Sequence, residues 1–209
     1  TELVACVDIR KERAERFSEM YTDGKAKVFT DYKEALAMDD VDAVEICLPH
    51  YLHAQVTIDA LNAGKHVLTE KPMAITLEDM DAMIATAEKT GKTLGVIFQN
   101  RYNDSTVAVK EAIDSGKLGK ILGARAFITW KRTDEYYSQS DWKGTWDKEG
   151  GGVLIDQAIH TIDLMQYLIS PPKRISASYA TRAHSLIHVD DVAEAVIDFE
   201  NGAIGCVYA

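Results

Sequence analysis

Hydrophobic and polar positions divide the chain into two halves with different rhythms. In the first half, short apolar runs at Leu3–Val7, Lys27–Phe29, Ala43–Leu48, His66–Thr69 and Thr93–Phe98 alternate with stretches of helical periodicity or breaker residues. Buried runs of this length, separated by helices, predict a doubly wound parallel sheet. The helices are punctuated in the expected way. The segment Leu52–Ala63 closes on Gly64, and Thr76 with Asp79 three residues on reads as a capping box before Met80, Met83, Ile84 and Ala87, with Gly91 as the stop. From about residue 119 the pattern becomes one long alternating strand at Leu122–Lys131, a polar aromatic loop, a helix near 153–169, and two more strands joined by Asn201-Gly202. This half predicts an α+β domain with a mostly antiparallel open sheet. A boundary falls between Gln99 and Gly119, with the helix Ser105–Ser115 as bridge, giving domains at 1–101 and 102–209. In Val192–Phe199, Ala193, Ala195, Ile197 and Phe199 share one face and Glu194 and Asp198 the other. One face is therefore expected to be covered, leaving the other available for contact.

Charge and cysteine usage narrow the partners. A net charge of −10 without any basic run of five residues argues against a nucleic acid partner, whose phosphates need clustered cations. The three cysteines, Cys6, Cys47 and Cys206, lie far apart in apolar contexts, so free thiols in a reducing compartment are expected. No signal peptide is visible and no apolar run approaches membrane-spanning length. The expectation is a cytoplasmic protein with neither membrane nor nucleic acid partner.

The run VACVD ends on Asp8, the place where a Rossmann-like dinucleotide fold puts an acid at the end of its second strand. There it accepts both adenosine ribose hydroxyls and repels a 2′-phosphate. NAD is favoured over NADP on that ground, although Arg10 and Lys11 follow closely and soften the preference. No G-x-G-x-x-G occurs anywhere, so the first βα unit is expected to be missing and the chain to be a fragment.

Two stretches carry candidate chemistry. In GKHVLTEKPMA, residues 64–74, Lys71 stands just past an apolar strand and before Pro72, which keeps its neighbour extended at the rim of the sheet. In IDQAIHTID, Asp156, His160, Asp163 and Tyr167 fall at helical spacing on one stripe of an otherwise apolar segment. Buried carboxylates and imidazoles need partners, and Gly150–Gly152 allow close backbone approach, so Lys71 is the expected partner across a cleft. For removal of a hydride from a secondary alcohol, His160 suits the general base, Lys71 would stabilise the alkoxide, and Asp156 would orient and tune the pair. Asp156 and His160 also have the spacing of two metal ligands, but no third ligand is evident nearby, so no metal is expected. Asp163 is divided between helix support and substrate contact.

Several motifs carry a family resemblance across essentially the whole chain. ICLPHYLHAQVTIDALNAGKHVLTEKPMA and GGGVLIDQAIHTIDL, in that order and with FQNRY and SGKLGKILGA, resemble the glucose-fructose oxidoreductase, inositol dehydrogenase and rhizopine-catabolism (Gfo/Idh/MocA) oxidoreductases. Asp104 departs from the proline common after RY-x in that family. The resemblance implies that Lys71 lies beside nicotinamide and substrate, and that Asp156 and His160 complete the active site; which of Lys71 and His160 accepts the proton stays open. It also places Leu48, Pro49 and His53 against the dinucleotide, with Glu70 and Lys71 at the next strand end. Gln99 and Arg101 follow the last strand of the first half, where an amide would meet the nicotinamide carboxamide.

All three tryptophans fall in residues 129–146, with Tyr136, Tyr137, Lys131, Arg132 and Lys143. Rings mixed with cations suit the apolar faces and hydroxyls of a sugar. Trp130 reads as a strand residue, whereas by resemblance Trp142 approaches nicotinamide or substrate. Arg132 or Lys143 would pair with a substrate carboxylate or phosphate, and Tyr136 is a further substrate candidate. The expected function is an NAD(P)-dependent oxidoreductase acting on a secondary hydroxyl of a sugar, cyclitol or sugar derivative. Two other readings share the fold: a non-catalytic NAD-binding sugar sensor, and an NAD-dependent glycoside hydrolase in which oxidation is transient.

Overall fold

The computed structural model describes residues 1–209, which fold into two compact units. The first comprises Thr1–Leu48, His53–Glu70 and Glu78–Gly95, and the second Pro49–Leu52, Lys71–Leu77 and Val96–Ala209.

The first unit is the expected Rossmann-like alternation. Its elements are β1 (Ala5–Val7), α1 (Lys11–Thr22), β2 (Lys27–Phe29), α2 (Tyr32–Leu36), β3 (Ala43–Ile46), α3 (His53–Asn62), β4 (His66–Thr69), α4 (Leu77–Thr90) and β5 (Leu94–Val96). The strands form two sheets, β1-β2 and β3-β4-β5, and the β1-β2 and β3-β4 pairs are parallel. Burial explains the pattern: in β4, Val67 (3% exposed) and Thr69 (0%) alternate with Leu68 (43%). Val67 packs with Leu36, Ile46, Val56, Ala60 and Leu61. Each large aliphatic side chain buried there contributes roughly 1.5–3 kcal/mol. Helix α3 ends at Gly64, whose φ of +76° is the left-handed turn anticipated for that glycine.

The second unit contains α5 (Asp104–Asp114), β6 (Gly123–Phe127), α6 (Asp134–Ser138), a π-helix (Val153–Ala158) leading into α7 (Ile159–Leu168), and strands β7 (Pro172–Ala180), β8 (Val192–Phe199) and β9 (Ile204–Tyr208). The sheet order is β6-β9-β8-β7; β6 runs parallel to β9, and the other two ladders are antiparallel. Met165 of α7 packs with Ala193, Ile197, Phe199 and Val207 beneath one face of this sheet.

Four features depart from the sequence-based expectation. Strand β6 is shorter than Leu122–Lys131 and pairs in parallel. The aromatic loop contains the short helix α6. Strand β7 was not predicted, because eight of its nine residues are exposed and leave no apolar stripe to read. The helix expected near 153–169 begins as a π-helix, held at its start by Asp190. Main-chain N–H groups of Gly152 and Leu154 donate to the two Asp190 carboxylate oxygens at 2.8 and 3.0 Å, and Val153 N–H donates to the Asp190 carbonyl at 2.8 Å.

The three glycines before this helix permit a contact that no other residue would. Gly150 has φ +86°, and a Cβ there would lie 2.6 Å from Cβ of Ile75. A Cβ on Gly152 would lie 1.8 Å from the Asp190 carbonyl oxygen. The expectation of close backbone approach thus takes a specific form, packing the helix start onto Ile75 and Asp190.

Candidate functional site

The second unit brings Lys71, Asp156 and Tyr136 together. Lys71 Nζ donates to Asp156 Oδ1 at 3.0 Å and to the Asp156 main-chain carbonyl at 2.6 Å, and the Tyr136 hydroxyl donates to Asp156 Oδ2 at 2.8 Å. That carbonyl belongs to the π-helical segment Val153–Ala158, so one residue of this turn offers the ammonium both its side chain and its main chain. The ion pair is largely withdrawn from solvent, with 16% of the Lys71 side chain and 12% of the Asp156 side chain exposed. Lys71 follows β4 by two residues, and the next residue, Pro72, is fully buried and joined through a cis peptide. Burial pushes the Asp156 carboxyl up, but the charge of Lys71, the Tyr136 hydrogen bond and the Lys71 hydrogen bond outweigh it and hold the group below the ordinary carboxylate range. Asp156 is therefore a fixed anion at neutral pH and Lys71 is aimed by it.

Tyr136 is also the meeting point of two more cations. Lys143 Nζ lies 3.5 Å from the Tyr136 ring centroid and Arg132 Cζ 5.0 Å. Burial, with the Asp156 hydrogen bond, raises the Tyr136 phenol so that it stays a donor to Asp156. Trp142, next to Lys143, meets His50 edge-on at 4.7 Å. His50 Nδ1 in turn lies 2.9 Å from the main-chain oxygen of Glu149. These contacts link Arg132, Lys143, Tyr136 and Trp142, all singled out from the sequence, to the Lys71–Asp156 pair, and they add His50 and Glu149.

Glu149 has no exposed surface; one carboxylate oxygen accepts from Gly144 N–H and the other has no hydrogen-bond partner. Burial raises its pKa to about 7, against the lowering effect of the Gly144 bond. Below pH 4.5 the group is protonated in both folded and unfolded chains. Between 4.5 and about 7 the unfolded chain ionises first, so stability falls as pH rises through that window and then levels. Replacement Glu149→Gln is expected to remove this slope and to stabilise the protein above pH 7 by up to roughly 3 kcal/mol. Denaturant melts at pH 5 and pH 8 measure it, and an unchanged slope would refute the assignment.

His160 is buried in the first turn of α7 and meets Phe98 edge-on at 6.3 Å. Asp163 is engaged elsewhere: Arg101 Nε donates to its Oδ2 at 2.8 Å and a second guanidinium nitrogen to Oδ1. Arg101 also lies over the rings of Phe98, 5.5 Å away, and Tyr167, 4.9 Å away. The fork ties helix α7 to the 3-10 turn Gln99–Tyr102 and occupies both Asp163 carboxylate oxygens.

In the first unit, Asp8 stands one residue past β1, where its Oδ1 accepts from Arg10 N–H at 2.8 Å and its second oxygen takes no bond from the chain. Leu48, 38% exposed, follows β3, while Glu70 follows β4 and donates its main-chain N–H to Ile46 O at 2.9 Å. His53 has no exposed surface, and its Nε2 lies 2.7 Å from the Leu48 carbonyl, so the ring braces the end of β3 and offers no surface of its own to a ligand. Pro49 and Gln99 belong to the second unit; Gln99 is exposed and opens a 3-10 turn at Gln99–Tyr102. No three His, Cys, Asp or Glu side chains group closely enough to hold a metal, and no helix is long and apolar enough to cross a membrane.

The residues that sequence reasoning passed over left faint signals. Glu149 directly precedes the three glycines, Asp190 belongs to an acidic pair ahead of a strand, and His50 follows Leu48-Pro49. None announces a contact partner distant in the chain.

Comparison with known proteins agrees with this architecture. Residues 1–98 match the model described as "Oxidoreductase family, NAD-binding Rossmann fold", and residues 106–209 match the GFO/IDH/MocA C-terminal domain. The chain belongs to the GFO/IDH/MocA oxidoreductase family. It is 33% identical to a D-glucoside 3-dehydrogenase of Escherichia coli (strain K12), over 97% of this chain and 61% of that protein. It is 32% identical to an inositol 2-dehydrogenase of Salmonella typhimurium, over 89% of this chain and 52% of that protein. Among solved structures, the WlbA dehydrogenase from Bordetella pertussis, in complex with NADH and UDP-GlcNAcA, superposes with a TM-score of 0.91 at 34% identity, over 100% of this chain and 62% of that one. The chain thus spans between about half and three-fifths of these relatives' lengths.

Proposed function

We propose that the protein is an NAD-dependent oxidoreductase acting on a secondary hydroxyl of a sugar, cyclitol or related polyol. One observation carries this reading: a lysine is held, mostly buried, by both the side chain and the main-chain carbonyl of Asp156, itself fixed by Tyr136. The arrangement suits an alcohol oxygen that gains negative charge as it is oxidised. Relatives named as sugar and inositol dehydrogenases, and a solved structure that holds NADH, support it.

The residues fit the cofactor. Asp8 keeps one carboxylate oxygen without a partner in the chain, as an acceptor for ribose hydroxyls requires, and its charge disfavours a 2′-phosphate. Leu48, Pro49, Glu70, Gln99 and Trp142 would complete the contacts, and His53 would act by bracing Leu48. When bound, NAD accepts the hydride. Lys71 would donate a hydrogen bond to the substrate oxygen and stabilise its developing charge. His160, one turn past Asp156, would take or relay the hydroxyl proton, and Asp156 would hold Lys71 in place. In this reading residues 1–101 hold the dinucleotide and 102–209 the substrate. A cytoplasmic homodimer or homotetramer is the assembly we infer, supported by exposed apolar residues such as Phe127, Val196 and Ile204 on the second unit's sheet.

The test is absorbance of reduced nicotinamide, with the full-length protein, NAD or NADP, and a panel of inositols, aldoses and sugar acids. Substrate-dependent reduction at rates above a protein-free control is expected. Tight cofactor binding without any reduction would overturn the reading in favour of a sensor or a redox-neutral glycosidase.

A further inference from the structure

The cluster around Tyr136 holds more positive charge than its own carboxylates answer. Lys71 is paired with Asp156, but Arg132 and Lys143 take part in none of the chain's ion pairs. Both cations are partly withdrawn from solvent, and Arg132 Nε is buried with no hydrogen-bond partner. Their nearest company is aromatic: Tyr136 for both, Trp130 for Arg132 at 5.9 Å and Trp142 for Lys143 at 5.5 Å. A ring face is worth about 0.5–2 kcal/mol to a cation, less than a charge-assisted hydrogen bond in a sheltered site. In a chain of net charge −10, two such cations beside the Lys71–Asp156 pair are a local exception that calls for an anion.

We propose that Arg132 and Lys143 bind an anionic group of the substrate, a carboxylate or a phosphate attached to the sugar, while Lys71 addresses the hydroxyl that reacts. The inference rests on reading this cluster as the substrate site of a dehydrogenase, and it names the substrate class. A neutral sugar would leave both cations without a counter-ion. An anionic one would satisfy the buried Arg132 Nε–H and offset the cost of burying Lys143. That cost shows in the protein itself: burial first, then Arg132 and Lys71, draw the Lys143 pKa down against the pull of Asp156 and Glu149.

Calorimetric titration of the full-length, NADH-loaded protein with D-glucuronate, D-glucose 1-phosphate and D-glucose separates the possibilities without relying on turnover. At least one anionic sugar is expected to bind ten-fold or more tightly than glucose, and which of the two does so tells carboxylate from phosphate. The preference should shrink as salt rises from 50 to 500 mM, and should fall to within about two-fold in the Arg132→Gln/Lys143→Gln double variant. Should the double variant not fold, the salt series on the wild type decides alone. Equal binding of all three sugars, a preference insensitive to salt, or one that survives in a folded double variant overturns the proposal. Nicotinamide reduction by neutral polyols without anion preference would overturn this inference and leave the dehydrogenase standing. Anion-selective binding with no reduction by any sugar would do the reverse.

Discussion

Replacement of Lys71 by alanine is expected to lower kcat/KM by about two to three orders of magnitude while leaving cofactor affinity within a few-fold. Loss of one aimed donor to a developing oxyanion costs about 2.7–4 kcal/mol in comparable sites. The substitution also strips Asp156 of its cation. Its carboxyl, now buried with Tyr136 as its remaining side-chain donor, should titrate upward, because the attraction that offset burial has gone. The main-chain carbonyl of Asp156 loses a partner as well. Breaking a buried pair from one side typically costs 3–5 kcal/mol of stability, so a lower melting temperature should accompany the kinetic loss. Two measurements separate chemistry from folding. Fluorescence titration with NADH reports whether the variant still binds cofactor, and added methylamine should restore part of the turnover by supplying the missing ammonium. Wild-type turnover in a folded Lys71→Ala protein would refute the role given to the lysine.

A single methyl group at Gly152 should do comparable damage by another route. Its Cβ would stand 1.8 Å from the Asp190 carbonyl oxygen and 2.8 Å from the carbonyl carbon, both backbone atoms with no rotamer to escape into. Relief requires moving the strand-entry segment at Asp190 away from the helix start, which breaks the three hydrogen bonds that Asp190 supplies to residues 152–154. Gly152→Ala is therefore expected to cost about 3–5 kcal/mol, a fall in melting temperature of roughly 10 °C for a protein of this size. Turnover should drop even in whatever fraction folds, because Asp156 lies only four residues on and an ångström of displacement misaims Lys71. Gly202→Ala is the control. Gly202 has φ +84° but nothing within 4 Å of an added Cβ, so only the backbone cost of about 1 kcal/mol applies. Calorimetric melts of the two variants should differ by several degrees; equal, small shifts would mean that the packing against Asp190 is not needed.

The legible features share a cause. Strand β4 was readable to the residue because a short apolar run follows the glycine at position 64, and helix α3 because that same Gly64 lies just past its end. Lys71, Asp156 and His160 were legible through their motifs, and Lys71 and Asp156 do meet across 85 positions of chain. Strand β7 was silent because its exposed residues carry no stripe, and a ring at the start of a helix gives no sign that His53 is buried against the Leu48 carbonyl.

By itself, then, the sequence determined the alternation of strands and helices, the order of the two domains and the identity of the chemical groups. Those are set by local propensity and burial period, which are written along the chain. The tertiary structure alone decided the π-helical start of the second unit's long helix, the bonds of the Asp156 side chain and carbonyl to Lys71, the Asp190 anchor at the helix start, the engagement of Asp163 with Arg101, the burial of Glu149, and the gathering of Arg132 and Lys143 at one tyrosine. Each depends on which distant backbone comes close enough to shut out water, and the strength of a charge or an unmade hydrogen bond is fixed by that exclusion, not by the residue type.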